Sequence, residues 1–206
     1  ASEAARQQAT LYFDLAGRLI APGPPSLVAI GGLSGTGKSL LARGLAGLLD
    51  PPPGALIVRS DVIRKRLFGV SETTALPEAA YQAETTERVY EKLSKLAERV
   101  LDQGCSVVLD AAYLRESERE KISGLAGERH VSFVGLFLNA DLATRLARIE
   151  QRRNDASDAT PQVALMQETF DIGTVDWHVI DASGTAEDTL RQASDWLSDR
   201  RWARDK

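Results

Sequence analysis

The run Gly31-Gly32-Leu33-Ser34-Gly35-Thr36-Gly37-Lys38-Ser39 constrains this chain more than any other stretch, because Gly32 through Ser39 match GxxxxGK[ST] without a gap. It follows the apolar run Leu27 to Ile30 and leads into an amphipathic stretch from Lys38 to Leu49. Strand, glycine-rich turn and helix in that order bring backbone N–H groups and a helix N-terminus to one point, where they bind an anion. A chance match in a chain of this length is on the order of one per cent. The turn is therefore read as a phosphate-binding loop, against the alternatives of a glycine turn without a ligand or a degenerate site kept for structure. Gly32, Ser34, Gly35, Thr36, Gly37 and Leu40 supply the backbone cradle, Lys38 reaches the β and γ phosphates, and the Ser39 hydroxyl binds Mg²⁺.

Four more apolar runs read as strands: Ala55 to Val58, Val107 to Leu109, Val131 to Leu138 and Trp177 to Ile180. The short ones are continuously apolar, as strands buried on both faces are, and only Val131 to Leu138 hints at alternation. The connections are long enough for helical crossovers, the longest from Pro77 to Gln103 with Gly104 placed to end it. The predicted fold is α/β, a doubly wound five-stranded parallel sheet. Ahead of it, Tyr12, Leu15, Ala16, Leu19 and Ile20 recur at helical spacing over residues 3–20, and Pro22-Gly23-Pro24-Pro25 stops that helix. This divides the chain into a helix with a proline-rich linker, 1–25, and a phosphate-loop domain, 26–206.

With 206 residues, 43% of them hydrophobic, the chain can bury one core without a disulfide or a structural metal. Its single cysteine, Cys105, excludes an internal disulfide and CxxC chemistry and points to a reducing, cytoplasmic setting, where a buried and inert thiol is expected. No apolar run approaches the length that spans a bilayer, so no membrane partner is expected. The formal net charge of −4 gives no overall cationic field for nucleic acid, although Arg59, Arg64, Lys65 and Arg66 could form a local anion patch. The chain opens Ala1-Ser2-Glu3 without an initiator Met, as after processing, at a cloning scar, or on excision from a longer protein.

The ends of the other strands carry the residues that select a chemistry. Asp61 follows the second strand, where it could cap a helix or accept the proton of an attacking hydroxyl. Asp110 closes Val107-Val108-Leu109, the pattern that holds Mg²⁺ in phosphate-loop proteins, or else it ends a strand in a plain turn. Asp141 to Arg153 reads as a helix with Arg145, Arg148, Arg152 and Arg153, followed by the polar run from Asn154 to Pro161; together they resemble a mobile lid over about 145–165. Arg148 and Arg152 share one face and are the candidates for stabilising the transferring phosphate, the alternative being a solvated surface. His130, His178, Trp177, Trp196 and Trp202 read as packing residues.

With these segments assembled, the chain resembles a bacterial family of predicted phosphate-loop kinases over roughly residues 26–200. The resemblance rests on the loop, on RSDVIRKRLFG from Arg59, on VVLDAAYLRESERE from Val107, and on the arginine lid. It is similar to a wider group of polynucleotide kinases, zeta toxins, gluconate kinase and chloramphenicol phosphotransferase. That resemblance implies the P-loop NTPase fold with strand order 2-3-1-4-5, ATP as the nucleotide, Asp61 as the base, Arg148 near adenine and Arg152 near phosphate. It implies that the loop 181–184 borders the base, and that an aminoglycoside-phosphotransferase-like domain can be the fusion partner of such a chain. Ala111 and Ala112 depart from polynucleotide kinases, which carry Asn or Thr near these positions. Arg64 and Arg115 fall in the segments flanking the acceptor. The expected activity is transfer of the γ-phosphoryl group of ATP to a hydroxyl of a small molecule. Its alternatives are a kinase for the 5′-hydroxyl of nucleic acid and a nucleotide-responsive regulatory module without an acceptor.

Overall fold

A computed structural model describes residues 2–152 and 155–204, and the side chains of all of these but residues 18 and 199–204. Five parallel strands form one sheet: β1 (Ser26–Gly32), β2 (Leu56–Arg59), β3 (Val107–Asp110), β4 (Ser132–Asn139) and β5 (His178–Asp181), in the order β2-β3-β1-β4-β5. The helices are α1 (Glu3–Ile20), α2 (Lys38–Ala46), α3 (Ser60–Leu67), α4 (Ala83–Leu101), α5 (Glu116–Glu128), α6 (Leu142–Gln151), α7 (Pro161–Gln167) and α8 (Ala186–Arg204). The strand that carries the glycine loop lies at the centre of the sheet, with β3 and β4 on its two sides.

Period-two alternation along buried strands divides the core into two layers. Leu27 and Ala29 of β1 join Val107 and Leu109 of β3 under α4 and α5, against Val89, Leu93, Ile122 and Leu125. Val28 and Ile30 point the other way with Val108, Leu136 and Ile180, against Leu41 and Leu45 of α2 and Ala193 of α8. Each large aliphatic side chain buried in these layers contributes about 1.5–3 kcal/mol relative to exposure. β4 is buried through its middle on both faces, so the expected alternation there is absent. The central position of the strand, between β1 and β5, removes any wet face.

Other boundaries move by a residue or a turn. β2, β4 and β5 each start and end one residue later than their apolar runs, because the ladder continues into the polar residue at the strand end. α2 ends at Ala46 rather than Leu49, where Gly47 caps it ahead of the proline run 51–53. The long crossover opens with a 3₁₀ turn at Glu78–Tyr81, and α4 starts only at Ala83. Gly104 follows it at φ +74°. His130, at φ +53°, is the left-handed residue just beyond α5, its N–H donating to the Gly127 carbonyl at 3.1 Å. Trp177 is buried at 8% exposure, and Trp196 stacks on His178 with ring centroids 4.4 Å apart. The Trp202 side chain lies outside the described residues. Cys105 is exposed, contrary to the buried thiol expected, because the turn that ends α4 precedes the first buried position of β3.

α1 forms as its periodicity predicts, with the Ser2 hydroxyl accepting from the Ala5 N–H at 3.3 Å. Its described residues are all exposed, including Phe13 at 83% and Ile20 at 84%. No helix among the described residues is long and apolar enough to cross a membrane.

Candidate active site

At the carboxyl edge of β1, β2 and β3 lies a cavity of about 1040 Å³. Ligands of open α/β sheets bind at this edge because helix N-termini and strand-end side chains converge there. Ser34, Gly35, Gly37, Lys38, Ser39 and Leu40 of the loop line it, with Asp61, Arg64, Asp110, Arg115, Arg148 and Arg152. The fold thus gathers twelve of the fourteen candidate residues into one space. Gly32 and Thr36 stand behind the loop instead: the Gly32 N–H donates to the Ala112 carbonyl at 3.0 Å, and the buried Thr36 hydroxyl to the Leu33 carbonyl at 2.8 Å.

The loop's conformation depends on glycine at two points. Gly37 caps α2 at φ +96°, and Gly35, at φ +86°, leaves room where a Cβ would stand 2.6 Å from the Arg145 carbonyl oxygen. The N–H groups of Gly35, Gly37, Lys38 and Ser39 form no hydrogen bond among the described residues. Four such donors in one loop need an acceptor, and phosphate oxygens suit them. Leu40 differs from expectation: its N–H donates to the Gly37 carbonyl at 3.0 Å, so the first helical turn already occupies it. Burial lowers the Lys38 pKa against the pull of Asp110 and Asp61, and its Nζ donates to the Gly32 and Leu33 carbonyls, both at 2.8 Å. The ammonium group is thereby held at the loop.

Parallel pairing of β2 with β3 sets Arg59 beside Asp110, and pairing of β1 with β3 brings Asp110 to the loop. The Ser39 hydroxyl donates to Asp110 Oδ2 at 2.6 Å. A hydroxyl and a carboxylate in contact are hard oxygen donors of the kind Mg²⁺ takes together with phosphate oxygens, so these two residues fit the metal.

Asp61 occupies the second position of α3, and Arg59 is the N-cap, so Asp61 is not the capping residue. Its carboxylate forms no hydrogen bond or ion pair among the described residues. Burial, and then the Asp110 charge, push its pKa up, while Lys38, Arg59 and Arg64 hold it back. One turn on, Arg64 is buried, donates to the Ala80 carbonyl at 2.6 Å and lies 4.8 Å from the centre of the Tyr81 ring. Arg115 is exposed at the N-terminus of α5, where Glu118 Oε2 accepts its N–H at 3.2 Å. Burial raises the Glu118 pKa.

The lid segment is more firmly tied than a mobile loop. α6 begins at Leu142 with Asp141 accepting from the Thr144 N–H, and it ends at Gln151. Arg148 donates to the Ala182 and Gly184 carbonyls at 2.8 and 2.6 Å, which joins α6 to the loop after β5. Arg145 is buried and pairs with Glu168, so it is not a surface arginine. Arg153 and Asn154 lie outside the described residues. Beyond them, Asp155 pairs with Arg59 at 2.8 Å, and Asp158 meets Lys65 Nζ, the Tyr81 hydroxyl and the Leu76 N–H. Burial pushes both carboxyls up, but these donors outweigh it and hold them below their ordinary value.

These contacts also dissolve the expected anion patch. Arg59 and Lys65 are paired, Arg64 is buried, and only Arg66 is well exposed, 3.6 Å from Glu72. Sequence reasoning missed Arg59 as a site residue, along with Asp155, Glu118 and Gln167, whose Oε1 accepts from the Ser34 N–H at 2.8 Å across 133 residues. No motif announces that contact, which depends on where α7 packs.

Solved structures similar to this one include several named as kinases. A sugar kinase from Janibacter sp. superposes with a TM-score of 0.62 at 19% identity, covering 85% of this chain and 95% of that one. A gluconokinase from Sinorhizobium meliloti gives 0.57 at 21%, covering 89% and 98%. The APS kinase CysC of Mycobacterium tuberculosis, in complex with AMPPNP and APS, gives 0.57 at 16%, covering 86% and 99%. At these identities the likeness is one of fold. Among curated proteins, the uncharacterized proteins Rv2004c of Mycobacterium tuberculosis and Mb2027c of Mycobacterium bovis are 33% identical over 175 residues, 81% of this chain. The chain spans about a third of their length, 34%. A family model described as an AAA domain matches residues 27–171, from the first strand through the lid, and the chain belongs to that family.

Proposed function

We propose that the chain is an ATP- and Mg²⁺-dependent phosphotransferase that moves the γ-phosphoryl group to a hydroxyl of a small-molecule acceptor. The observation that carries this reading is Asp61: a carboxylate without a hydrogen-bond partner among the described residues, in the same cavity as Lys38, Ser39 and Asp110. Transfer to an alcohol needs a group that takes the hydroxyl proton, and a carboxylate facing the phosphate loop supplies one.

In this mechanism the open loop amides and Lys38 bind the β and γ phosphates. Ser39 and Asp110 would hold Mg²⁺, which when bound would offset charge on the phosphate oxygens. Asp61 takes the proton of the acceptor hydroxyl as that oxygen bonds to the γ phosphorus, and the bond to the β–γ bridging oxygen breaks to leave ADP. Arg152 lines the cavity on the lid side and is the candidate to meet charge on the transferring group. Arg148, fixed to the 182–184 loop, is the candidate wall for the base. The acceptor half presents Arg64, Arg115, Glu118, Tyr81 and Tyr90, a polar lining suited to a hydroxylated and charged small molecule.

The test follows label from γ-labelled ATP with Mg²⁺ into sugars, sugar acids, aminoglycosides, nucleosides and 5′-hydroxyl oligonucleotides. Label enters one class with the wild type, while Lys38→Ala and Asp61→Asn each reduce transfer at least 10²-fold. Equal rates for wild type and Asp61→Asn would remove Asp61 as the base. ATP binding without label in any acceptor would favour a regulatory module.

A further inference from the structure

Resting on that reading of the site, we propose that Arg59 competes with the divalent cation for Ser39 and Asp110, and so sets how much Mg²⁺ the site needs. Arg59 Nε donates to Asp110 Oδ2 at 3.1 Å and its Nη2 to Ser39 Oγ at 3.1 Å, the same two atoms that face each other at 2.6 Å. A third contact, from Nη2 to Asp155 Oδ1 at 2.8 Å, holds the guanidinium from the lid side. The side chain is 17% exposed and the Asp110 side chain 6%, so water screens the pairing little.

The geometry uses what is particular to arginine. Its planar fork reaches three acceptors at once, and it keeps its charge throughout the working pH range. The two oxygens it engages are those the donor chemistry assigns to the metal. Asp110 Oδ2 already accepts two hydrogen bonds, from Ser39 and Arg59, and Ser39 Oγ accepts one from Arg59. A metal bond to either atom displaces one of these donors, and a divalent ion beside a fixed monovalent one is opposed by like-charge repulsion. Nucleotide phosphates supply the negative charge that tips the competition. The metal therefore loads together with the triphosphate and poorly by itself. The arrangement is written into the sheet, since parallel register makes Arg59 the direct neighbour of Asp110.

The test titrates Mg²⁺ into the full chain with a fluorescent, non-hydrolysable ATP analogue, and in parallel reads Mn²⁺ without nucleotide by electron paramagnetic resonance. Arg59→Met keeps volume and removes charge and fork; the half-saturating Mg²⁺ concentration falls about tenfold, and Mn²⁺ alone binds measurably more tightly than to the wild type. Asp155→Asn removes one of three anchors and lowers the Mg²⁺ midpoint by a smaller factor. Arg59→Lys keeps the charge but loses the fork and lowers the Mg²⁺ midpoint by less than Arg59→Met; it carries the test together with Asp155→Asn should the methionine variant not fold, and unchanged midpoints in both would then overturn the proposal. An unchanged or raised Mg²⁺ midpoint in folded Arg59→Met would overturn the proposal, leaving Arg59 as a support for Asp110. Failure of the wild type to bind the analogue at any Mg²⁺ concentration would instead overturn the nucleotide-site reading beneath it.

Discussion

Keeping Asp61 ionised costs the fold free energy, because the carboxylate is buried, faces the Asp110 charge and forms no compensating hydrogen bond among the described residues. A carboxyl whose pKa is raised on folding is favoured in its protonated form, so the penalty is absent below the ordinary value of 3.8, grows as pH rises from there to the raised value, and is complete above it. Asp61→Asn removes the ionised form, and thermal unfolding at neutral pH is expected to shift upward while phosphoryl transfer is lost. A lower melting temperature would show that the charge stabilises the fold. The acid limb of kcat/KM is correspondingly expected above the ordinary aspartate value of 3.8, and it moves down if Asp110→Asn retains enough rate to measure. At this scale the loop and the two aspartates were legible, because each is a local pattern at a strand end. Arg59 and Gln167 were not. Arg59 acquires its meaning from β2–β3 register, and Gln167 from a helix that folds back onto Ser34.

Arg119 shows how an element is fixed by a buried group that does not line the cavity. It lies in α5 at 3% exposure and donates to the Tyr113, Leu114, Ile172 and Thr174 carbonyls, between 2.6 and 3.1 Å. It thereby clasps the turn after β3 to the segment before β5. Tyr113 in that turn has φ +50°, which a non-glycine residue holds only under firm constraint. The constraint is visible in the Tyr113 N–H donating to the Tyr90 hydroxyl at 2.9 Å and in edge-on contacts with Tyr90 and Trp177. Arg119→Met leaves four carbonyls without their donor, and a loss of about 2–4 kcal/mol in unfolding free energy is expected by denaturant titration. A loss under about 0.5 kcal/mol would mean that water replaces the guanidinium without cost. The elements themselves were legible from hydrophobic period, with ends displaced where the ladder extends into polar residues or a glycine stops a helix. The clasp was not, since a buried arginine and a solvated one look alike in sequence.

Across the whole molecule the formal net charge is −4, and of Arg59, Arg64, Lys65 and Arg66 only Arg66 is well exposed. Oligonucleotide binding is therefore expected to be weak and flat with salt between 50 and 200 mM, in contrast to a loss of about 10³–10⁵ for a protein that neutralises 6–10 phosphates. Tight, steeply salt-dependent binding in a filter assay would bring back the nucleic acid kinase. Fold class was legible in advance because continuously apolar strands joined by long crossovers point to a parallel sheet, whereas the strand order was implied by the family resemblance.

The cavity has two walls of different origin. One is built from the loop after β1, the end of β3 and the starts of α2 and α3; the other comes from Tyr81, α4, the turn entering α5 and residues of the segments 148–152 and 155–171. Only the first depends on the register of buried strands. The second hangs on side-chain clasps, among them Asp158 with Lys65 and Tyr81 and Arg64 with the Ala80 carbonyl. If the proposed transfer holds, acceptor preference is written into the second wall and can change while the phosphate loop stays as it is.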